Sequence, residues 1–331
     1  MDFTKGYKAA FYAAFLDPVT WSENLRFEIV SGSISRSNTG LRHSAELSVR
    51  SWDETTDRWA RIYLDCDQNG ERSHEALFTG IISTPNDNQT GATNEVKLRL
   101  YSPLKAAEDI KLPVGWYVPK NADGVNMILS LLKSQPAPVE AEGLHPRLKE
   151  SIIAEANENC VTMIEKILSA INWRLQIAGD GTVLLSPQPD APTLTMSANA
   201  NDIIEVGTIT KDHDFFTCPN VLTVIAGDST YTLKDEEDIL ERGREIQVIE
   251  DSVTLADNES IIQYAVRRLK ELQEKTETIG YTRRYMPDVN ISDLVKIDYE
   301  DTNGVYEVES QDITLGAGVK TNEKGRRAVN E

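Results

Sequence analysis

The sequence predicts a β-rich α+β fold in which two β-rich parts flank a small α/β module. The first hundred residues contain short alternating segments separated by turn residues, with no helical pattern between them. Helical spacing of apolar residues is clear only near the middle of the chain and again over 261–272. For a chain of 331 residues we therefore predict three domains, at 1–105, 106–199 and 200–331.

Strands dominate the predicted domain 1–105. Alternation over 25–29 and again over 45–49 predicts strands with one apolar face each. Ser31-Gly32-Ser33 is expected to break or bulge the chain between them. Further strands are predicted at 61–65, 76–83 and 95–101, with turns at 37–40, 67–70 and 85–93. This spacing favours an antiparallel barrel or a sandwich.

The predicted module at 106–199 has two helices and a hairpin. Asn121 or Asp123 can cap the first helix, and the second is predicted over 160–171. A linker-like, proline-containing piece at 134–143 separates them. The apolar stripes are Val125, Ile128, Leu129 and Leu132 in the first helix and Val161, Ile164, Ile167, Leu168 and Ile171 in the second. Strands at 173–177 and 182–186 are predicted to pair around Gly179-Asp180-Gly181.

The predicted domain 200–331 is again β-rich, with one amphipathic helix that Asp257 or Asn258 can cap. Its apolar stripe over 261–272 fits a partner-binding face or, more commonly, packing on the domain's own sheet. Strands are predicted at 203–210, 220–226, 281–285, 293–299, 304–310 and 312–315. Residues 317–331 are predicted to fray.

The charge is strongly acidic and unevenly distributed. With 53 acidic and 34 basic residues the net charge is −19, which argues against a surface that grips nucleic acid or anionic lipid. This net charge does not exclude a surface along which nucleic acid passes without being bound. The stretch 200–260 holds 15 acidic and four basic residues. It fits a solvated face, or a surface that repels a polyanion or meets a basic partner.

The cysteines and the N-terminus indicate a reducing compartment. Cys66, Cys160 and Cys218 are far apart in sequence and form neither a disulfide framework nor a zinc motif, so buried free thiols are expected. The apolar run at 9–16 is short, stops at Asp17-Pro18 and lacks a cleavage site, which disfavours a signal peptide. No apolar run approaches the ~20 residues that span a bilayer.

One short motif resembles a calcium site. Asp65, Asp67, Asn69 and Gly70 match the opening half of an EF-hand loop. The twelfth position, which should supply a bidentate Glu, is Ala76, and the flanking segments are predicted strands. We interpret the motif as a polar hairpin turn.

Asp212-His213-Asp214 is the other candidate metal-binding group, and it lacks a second nearby histidine, so an exposed loop between strands is favoured. The chain has no nucleophile elbow, no Walker loop and no dinucleotide-binding fingerprint. We therefore predict no catalytic, metal-binding or cofactor-binding residues, no cofactor and no enzyme.

Several stretches, taken in order, resemble the tail hub proteins of contractile phage tails and related injection machines, including the late-control-D-like and defective-prophage groups. These are 27–52, ending in Leu47-Ser48-Val49-Arg50; Phe78-Thr79-Gly80-Ile81-Ile82; 96–104; 172–187, reading W-x-L-x-I then G-x-V-x-L-x-P; and 257–315. The order covers most of the chain, whereas residues 1–18 match nothing in the family.

The resemblance implies two tube-protein-like antiparallel β-barrel domains in one chain, with barrels that can be interleaved in sequence. Three chains would then form a pseudo-sixfold ring that joins a hexameric tail tube to a trimeric spike and lets DNA or cargo pass. A closed ring makes the same contact at every interface with its partner only when the number of its repeated units matches the symmetry of that partner. Part of 200–260 is then expected to face the lumen.

The partners implied by the resemblance are further copies of the chain as a homotrimer, the tail tube or tube-initiator protein, the spike, and also tape measure and baseplate wedge proteins. Neither sequence-specific nucleic acid binding nor membrane insertion is expected. The implied location is the virion tail baseplate, assembled in the host cytoplasm. Two alternatives remain open: a tail-associated cell-wall hydrolase, and a non-viral β-rich binding module.

Overall fold

The structure is a computed structural model. It describes residues 5–50, 52, 58–83, 86–90, 93–189, 191–192, 194–197, 204–205, 207–226, 228–251, 253, 260–274, 276–299, 302–316 and 318–328. The first β part contains strands β1 (Lys8–Leu16), β2 (Glu23–Glu28), β3 (Ser31–Ser37), β4 (His43–Val49), β5 (Arg58–Gln68), β6 (Glu71–Ile82), β7 (Asn86–Thr90) and β8 (Thr93–Tyr101).

The rest of the chain forms a central module and a C-terminal part. The central module contains α1 (Lys105–Glu108), β9 (Tyr117–Val118), α2 (Gly124–Leu131), β10 (Val139–Ala141), β11 (Ile152–Ile153), α3 (Cys160–Ile171), β12 (Trp173–Ile177) and β13 (Val183–Pro187). The C-terminal part contains β14 (Leu194–Ser197), β15 (Thr210–His213), β16 (Val221–Ala226), β17 (Ser229–Lys234), α4 (Glu236–Arg242), β18 (Gln247–Glu250), α5 (Ile261–Glu274), β19 (Glu277–Arg284), β20 (Leu294–Tyr299), β21 (Thr302–Leu315) and β22 (Lys320–Arg327).

One 14-stranded sheet runs through both β parts in the order β15-β19-β22-β21-β3-β4-β8-β6-β5-β1-β2. Strands β20, β14 and β7 branch from this path. Neighbouring strands along it are antiparallel, and the two β parts meet where β3 pairs with β21 over six residues on each strand. The predicted β-rich α+β class is confirmed. The three predicted domain boundaries stay a prediction.

Strand β21 belongs to two hydrophobic cores. Tyr306 and Val308 pack into the C-terminal core, whereas Ile313 and Leu315 pack into the core of the first β part. A register shift between Val308 and Ser310 separates the two halves. A β-bulge turns the strand and increases its twist, so it can redirect side chains from one core to the next.

The central module has its own core. Helices α2 and α3 pack together over the sheet β10-β13-β12. Asp123 caps α2 by accepting from the N–H of Asn126 at 2.9 Å, and Asn159 caps α3 by accepting from that of Thr162 at 2.8 Å. The predicted hairpin and the helix over 160–171 are therefore confirmed, and Asp123 is the cap of the first helix.

A further small unit lies within the C-terminal part, where α5 packs on the sheet β17-β16-β18. Ala265 and Leu269 of the α5 stripe are buried there, so the prediction that the stripe packs on a neighbouring sheet of the same part of the chain is confirmed for these residues. Ile262 and Val266 of the predicted stripe are 51% and 54% exposed. Ser260 and Gln263 begin the helix with reciprocal side-chain-to-backbone hydrogen bonds, the capping-box arrangement. The predicted cap residues Asp257 and Asn258 lie outside the described residues.

Several local predictions are wrong. Residues 317–331 are predicted to fray, but 320–327 form β22 between β19 and β21. The predicted turn at 85–93 contains β7, and the predicted linker at 134–143 contains β10. Each of these segments is ordered by pairing with another strand: β22 with β19 and β21, β7 with β8, and β10 with β13. The composition of a segment does not reveal such pairing.

Three strand boundaries also differ. Ser31-Gly32-Ser33 lies within β3, and the predicted strands 304–310 and 312–315 are one strand. Within the predicted strand 203–210, Ile204 makes one isolated bridge, and β15 begins only at Thr210. Among the described residues, no helix has the length and apolar character needed to cross a bilayer.

Candidate assembly surfaces

A buried ionic network ties β19, β21 and β22 together. Arg283 donates from Nε to Glu323 at 3.0 Å, and both side chains are almost fully buried. Gln311 donates to the same carboxylate at 2.8 Å, and Tyr281 donates to its other oxygen. Burial alone lowers the pKa of Arg283, and the adjacent Glu323 carboxylate outweighs it, so this pKa is raised. The network is therefore charged and internally satisfied.

The hairpin turn of the central module docks on the first β part. Thr79 on β6 donates from its hydroxyl to the carbonyl of Gly179 at 2.8 Å. The carbonyl of Asp180 accepts from Trp21 at 3.1 Å and from Arg61 at 2.8 Å. A Cβ on Gly179 would lie 1.7 Å from the carbonyl oxygen of Ala76, so only glycine allows this approach.

The other end of the same hairpin is attached to the C-terminal part. Arg174 on β12 donates at 2.8 Å both to the carbonyl of Ser292 and to the carboxylate of Asp293. Gln176 donates to the carbonyl of Ile291. Asp293 is 7% exposed in its side chain, so this ion pair is largely shielded from water. One short hairpin thus connects both β parts.

The three parts meet around a cavity of about 220 Å³ lined by Arg36, Gln176 and Tyr285, among others. Arg36 is 6% exposed and donates from Nη2 to the carbonyl of Leu77 at 2.7 Å. Burial lowers its pKa. The nearby His43 is also buried, and burial together with Arg36 and Arg42 lowers the pKa of His43 well below its usual value. The ring of His43 is therefore neutral near pH 7.

The residues of the candidate calcium motif form the β5–β6 hairpin. Asp65 lies 2.6 Å from His74 Nδ1, and Asp67 lies 3.5 Å from Arg72. Asp67 also accepts from the N–H of Gly70 at 3.2 Å. Both carboxylates therefore engage partners within the hairpin, as the polar-turn interpretation predicts.

The structure divides Asp212-His213-Asp214 between a strand and a turn, so the predicted exposed loop is wrong for its first two residues. Asp212 and His213 belong to β15, and both are exposed. Asp214 accepts from the N–H groups of Phe216 and Thr217 at 3.1 Å each. Bonds from the hydroxyl and N–H of Thr217 lower the pKa of this carboxyl, which organises the turn after β15.

The two ends of the 14-stranded sheet have free edges. Among the described residues, β2 pairs only with β1 and β15 pairs only with β19. Large apolar side chains lie exposed beside both edges: Leu25 and Val30 at β2, Phe215 and Phe216 at β15. The sequence predicted an apolar strand face that includes Leu25; its exposure follows from its position on an edge strand.

The face of this sheet that points away from the cores is polar and continuous across the β3–β21 pairing. An open groove of about 850 Å³ on it is lined by Ser31, Ser33, Ser48 and Thr314, among others. Ion pairs are part of this face: Arg99–Glu46 at 2.9 Å, Lys320–Glu205 at 2.8 Å and Arg326–Glu309 at 2.6 Å. Hydroxyl groups and paired charges thus lie on a surface that spans both β parts, and Lys97 and Tyr101 also line its groove.

Much of the acidic stretch 200–260 lies on the small unit around β16. Helix α4 buries no residue, and Glu236, Glu237 and Glu241 on it are exposed. Two of the four cations of this stretch pair within the unit, Lys234 with Glu245 at 2.6 Å and Arg242 with Asp238 at 2.6 Å. The unit therefore presents a negative surface to its surroundings.

Sequence reasoning missed the buried network, both hairpin contacts and the exposed phenylalanines. Tyr281, Arg283 and Tyr285 occupy every second position, so the sequence could have predicted a strand face that carries two tyrosines and an arginine between them. Glu323 lies in a segment with no local signal for burial. All three cysteines are buried, as expected.

No protein-family model and no curated protein sequence matches the chain. Solved structures do match it over nearly its whole length. The 43 kDa tail protein of prophage MuSo2 from Shewanella oneidensis is 13% identical with a TM-score of 0.67, covering 97% of this chain and 98% of that one. The tail protein from Neisseria meningitidis MC58 is 14% identical with a TM-score of 0.70, covering 97% of each chain.

A chain of the Francisella PdpA–VgrG complex is 10% identical with a TM-score of 0.56 and covers 98% of this chain, while this chain covers 58% of it. These identities are low, so the similarity concerns the fold. The coverage is nevertheless almost complete and includes both β parts and the central module. The chain therefore has the fold of phage tail proteins and of proteins related to VgrG.

Proposed function

We propose that the chain is the structural baseplate hub of a phage tail or a phage-tail-like contractile injection system. Three copies form a pseudo-sixfold ring that joins the hexameric tail tube to the trimeric spike and lets DNA or cargo pass. The location is the tail baseplate of the virion, after assembly in the host cytoplasm. The chain acts by shape and contact, without catalysis.

The pairing of β3 with β21 is the observation that carries this proposal. It joins two β parts of one chain by main-chain hydrogen bonds, antiparallel over Ser37↔Ser310 to Gly32↔Leu315. One chain thus supplies two sheet segments side by side, and three chains supply six. Such a subunit can match a sixfold partner on one side and a threefold partner on the other.

The rigid joints support the same role. The central hairpin is fixed to the first β part through Gly179 and Asp180 and to the C-terminal part through Arg174. A ring that transmits load between a tube and a spike needs the relative position of its two β parts to be fixed. Buried, hydrogen-bonded charges provide that geometric specificity.

The polar outer face of the sheet suits a channel wall. Serine and threonine hydroxyls and cations paired with carboxylates hold a passing polyanion less tightly than unpaired lysines would. The prediction that part of 200–260 faces the lumen stays a prediction. The implied partners are the tube or tube-initiator protein and the spike, with the tape measure and wedge proteins as further candidates.

Electron microscopy of the purified chain, alone and with a hexameric tube protein and a trimeric spike protein, tests the proposal. We expect rings with six similar densities around a central hole, stacked on the tube and on the spike. Isolated particles that join neither component would contradict it.

A further inference from the structure

We propose that the cavity between the three parts of the chain binds a small oxyanion of the phosphate or sulfate class, held by Arg36. The cavity has a volume of about 220 Å³. One buried water needs only about 10–15 Å³ of such volume, so a tetrahedral oxyanion fits with water around it. The proposal concerns how the parts of one chain are joined, and it does not depend on the proposed hub.

Arg36 points from β3 into the interior. Ile34 and Arg36 occupy alternate positions on this strand, and Ile34 is fully buried in the core of the first β part. Side chains two positions apart on a strand share a face, so Arg36 lies on the inner face as well. Arg36 is 6% exposed and lines the cavity together with Tyr285, whose hydroxyl forms a hydrogen bond with the guanidinium.

One buried donor of Arg36 is without a partner. Nη2 donates to the carbonyl of Leu77 at 2.7 Å, whereas Nε has no hydrogen-bond partner among the described residues. Buried polar groups are normally paired with protein, with ordered water or with an ion. A guanidinium N–H bonds more strongly to a charged oxygen than to a neutral one, which favours an oxyanion at this position.

The charge of Arg36 has no counter-charge beside it on the sheet. Its cross-strand neighbours are His43 on β4 and Gln311 on β21. The ring of His43 is neutral because burial lowers its pKa, and Gln311 is an uncharged amide. Besides burial, Tyr285 and Arg283 act most strongly on the pKa of Arg36, and neither is a carboxylate. A buried charge without a counter-charge destabilises the fold, and a bound anion would supply one.

Glu75 and Glu323 are the alternative counter-charges, and each already has partners. Glu323 pairs with Arg283 and also accepts from Gln311 at 2.8 Å. Glu75 lines the cavity, is half-buried and accepts from the hydroxyl of Ser73. Its negative charge opposes an anion in the same cavity. The two interpretations of Glu75, a repelling neighbour of the anion or the counter-ion of Arg36, therefore predict opposite effects when this charge is removed.

The other polar groups on the lining are neutral. They include the side-chain amides of Gln176 and Asn290 and the hydroxyl of Tyr285. Amide and hydroxyl groups can donate to an anion oxygen without adding charge. Arg36 belongs to the first β part, Gln176 to the central hairpin, and Asn290 and Tyr285 to the C-terminal part. A bound oxyanion would therefore contact all three parts at once and stabilise their junction.

Inorganic phosphate is the probe for this site. The urea midpoint of the full chain should rise with phosphate concentration, relative to sodium chloride at the same ionic strength, because a ligand of the folded state stabilises it. Arg36→Met should abolish this shift. Arg99→Met is the matched control: it removes an exposed arginine that pairs with Glu46 at 2.9 Å, and the shift should remain.

Phosphorus NMR of phosphate titrated with the chain measures the dissociation constant directly. Arg36→Met should raise this constant at least about tenfold, as expected for loss of a hydrogen bond to a charged group. Glu75→Gln should lower it at least about threefold, because a like charge is removed from the cavity. This second variant keeps the test decisive if Arg36→Met does not fold.

Three results would overturn the proposal. The first is a midpoint that phosphate raises no more than chloride does, which would mean that water alone fills the cavity. The second is an equal phosphate effect in the parent chain and in Arg36→Met. The third is a Glu75→Gln variant that is less stable and binds phosphate no more tightly, which would identify Glu75 as the counter-ion of Arg36. The mass of the assembled particle is a separate measurement, so failure here leaves the hub proposal intact.

Discussion

Arg283 and Glu323 form an ion pair whose side chains are only 1% and 0% exposed, at the point where the two β parts share strand β21. The same carboxylate accepts from Gln311, whose amide also donates to the carbonyl of Val289 at 2.9 Å. Each partner depends on the other, because a buried charge without its counter-charge is strongly unfavourable.

We predict that Arg283→Met destabilises the chain by ~3–5 kcal/mol, because Glu323 would be left buried without its cation. The double variant Arg283→Met/Glu323→Gln should cost clearly less than the sum of the single changes. Urea unfolding followed by circular dichroism measures both effects.

The matched control is an exposed ion pair of Lys320, which lies on β22 like Glu323. Lys320 pairs with Glu205 at 2.8 Å, but the two side chains are 56% and 49% exposed. Lys320→Ala should therefore cost at most about 1 kcal/mol. Similar losses of unfolding free energy for the buried and the exposed pair would show that burial does not determine how much this network stabilises the fold.

Gly179→Ala should detach the central hairpin from β6. The added Cβ would meet backbone rather than a flexible side chain, so the turn must move away from Ala76. We expect a loss of ~1–3 kcal/mol or more in unfolding free energy and a change in the fluorescence of Trp21, which donates to Asp180. At Gly316 nothing lies within 4 Å of the added carbon, so Gly316→Ala should leave the fluorescence unchanged.

The contact of Arg174 with Asp293 should behave as one coupled unit. We predict ~1.5–3 kcal/mol for Arg174→Met, since hydrogen bonds to charged groups contribute in this range. A double-mutant cycle with Asp293→Asn should give a coupling energy above ~0.5 kcal/mol. Strict additivity of the two changes would mean that the hairpin is not held by this pair.

His43 makes stability sensitive to mild acid. Its pKa in the folded chain lies well below the usual 6.5, so below pH 6.5 the unfolded chain binds a proton that the folded chain does not. Stability should fall as pH drops from 6.5 towards 5, with a slope of at most ~1.4 kcal/mol per pH unit from this residue.

The variant His43→Gln should show a shallower slope in that window and the same slope as the parent between pH 7 and 8. Unfolding free energies at four pH values are sufficient to compare the slopes. The comparison concerns slopes because the substitution itself changes packing at a buried site. An unchanged slope between pH 5 and 6.5 would show that His43 titrates normally.

The sequence was most informative where the structure is local. The helix over 160–171 has apolar residues at helical spacing behind an Asn cap, and the hairpin after it has alternating strands around a Gly-Asp-Gly turn. These signals arise from residues near each other in the chain. They predicted α3 and the β12–β13 hairpin almost to the residue, but not α1, β9, β10 or β11 of the same module.

The assembly surfaces could not be predicted in the same way, because they depend on distant partners. Glu323 lies in a polar tail, and it becomes buried only because β22 inserts between β19 and β21. Phe215 and Phe216 look like core residues in the sequence, and only the end position of β15 explains their exposure. Edge strands and shared strands follow from sheet order, which alternation alone does not specify.

The mass of the chain in solution tests the proposed hub most directly. Light scattering coupled to gel filtration, with the chain alone and with tube and spike proteins added, measures it. The ring predicts three chains of 36.9 kDa, which form a particle of 110.7 kDa alone or add 110.7 kDa to the mass of a complex with those partners. A particle that stays at 36.9 kDa with both partners present would contradict the account.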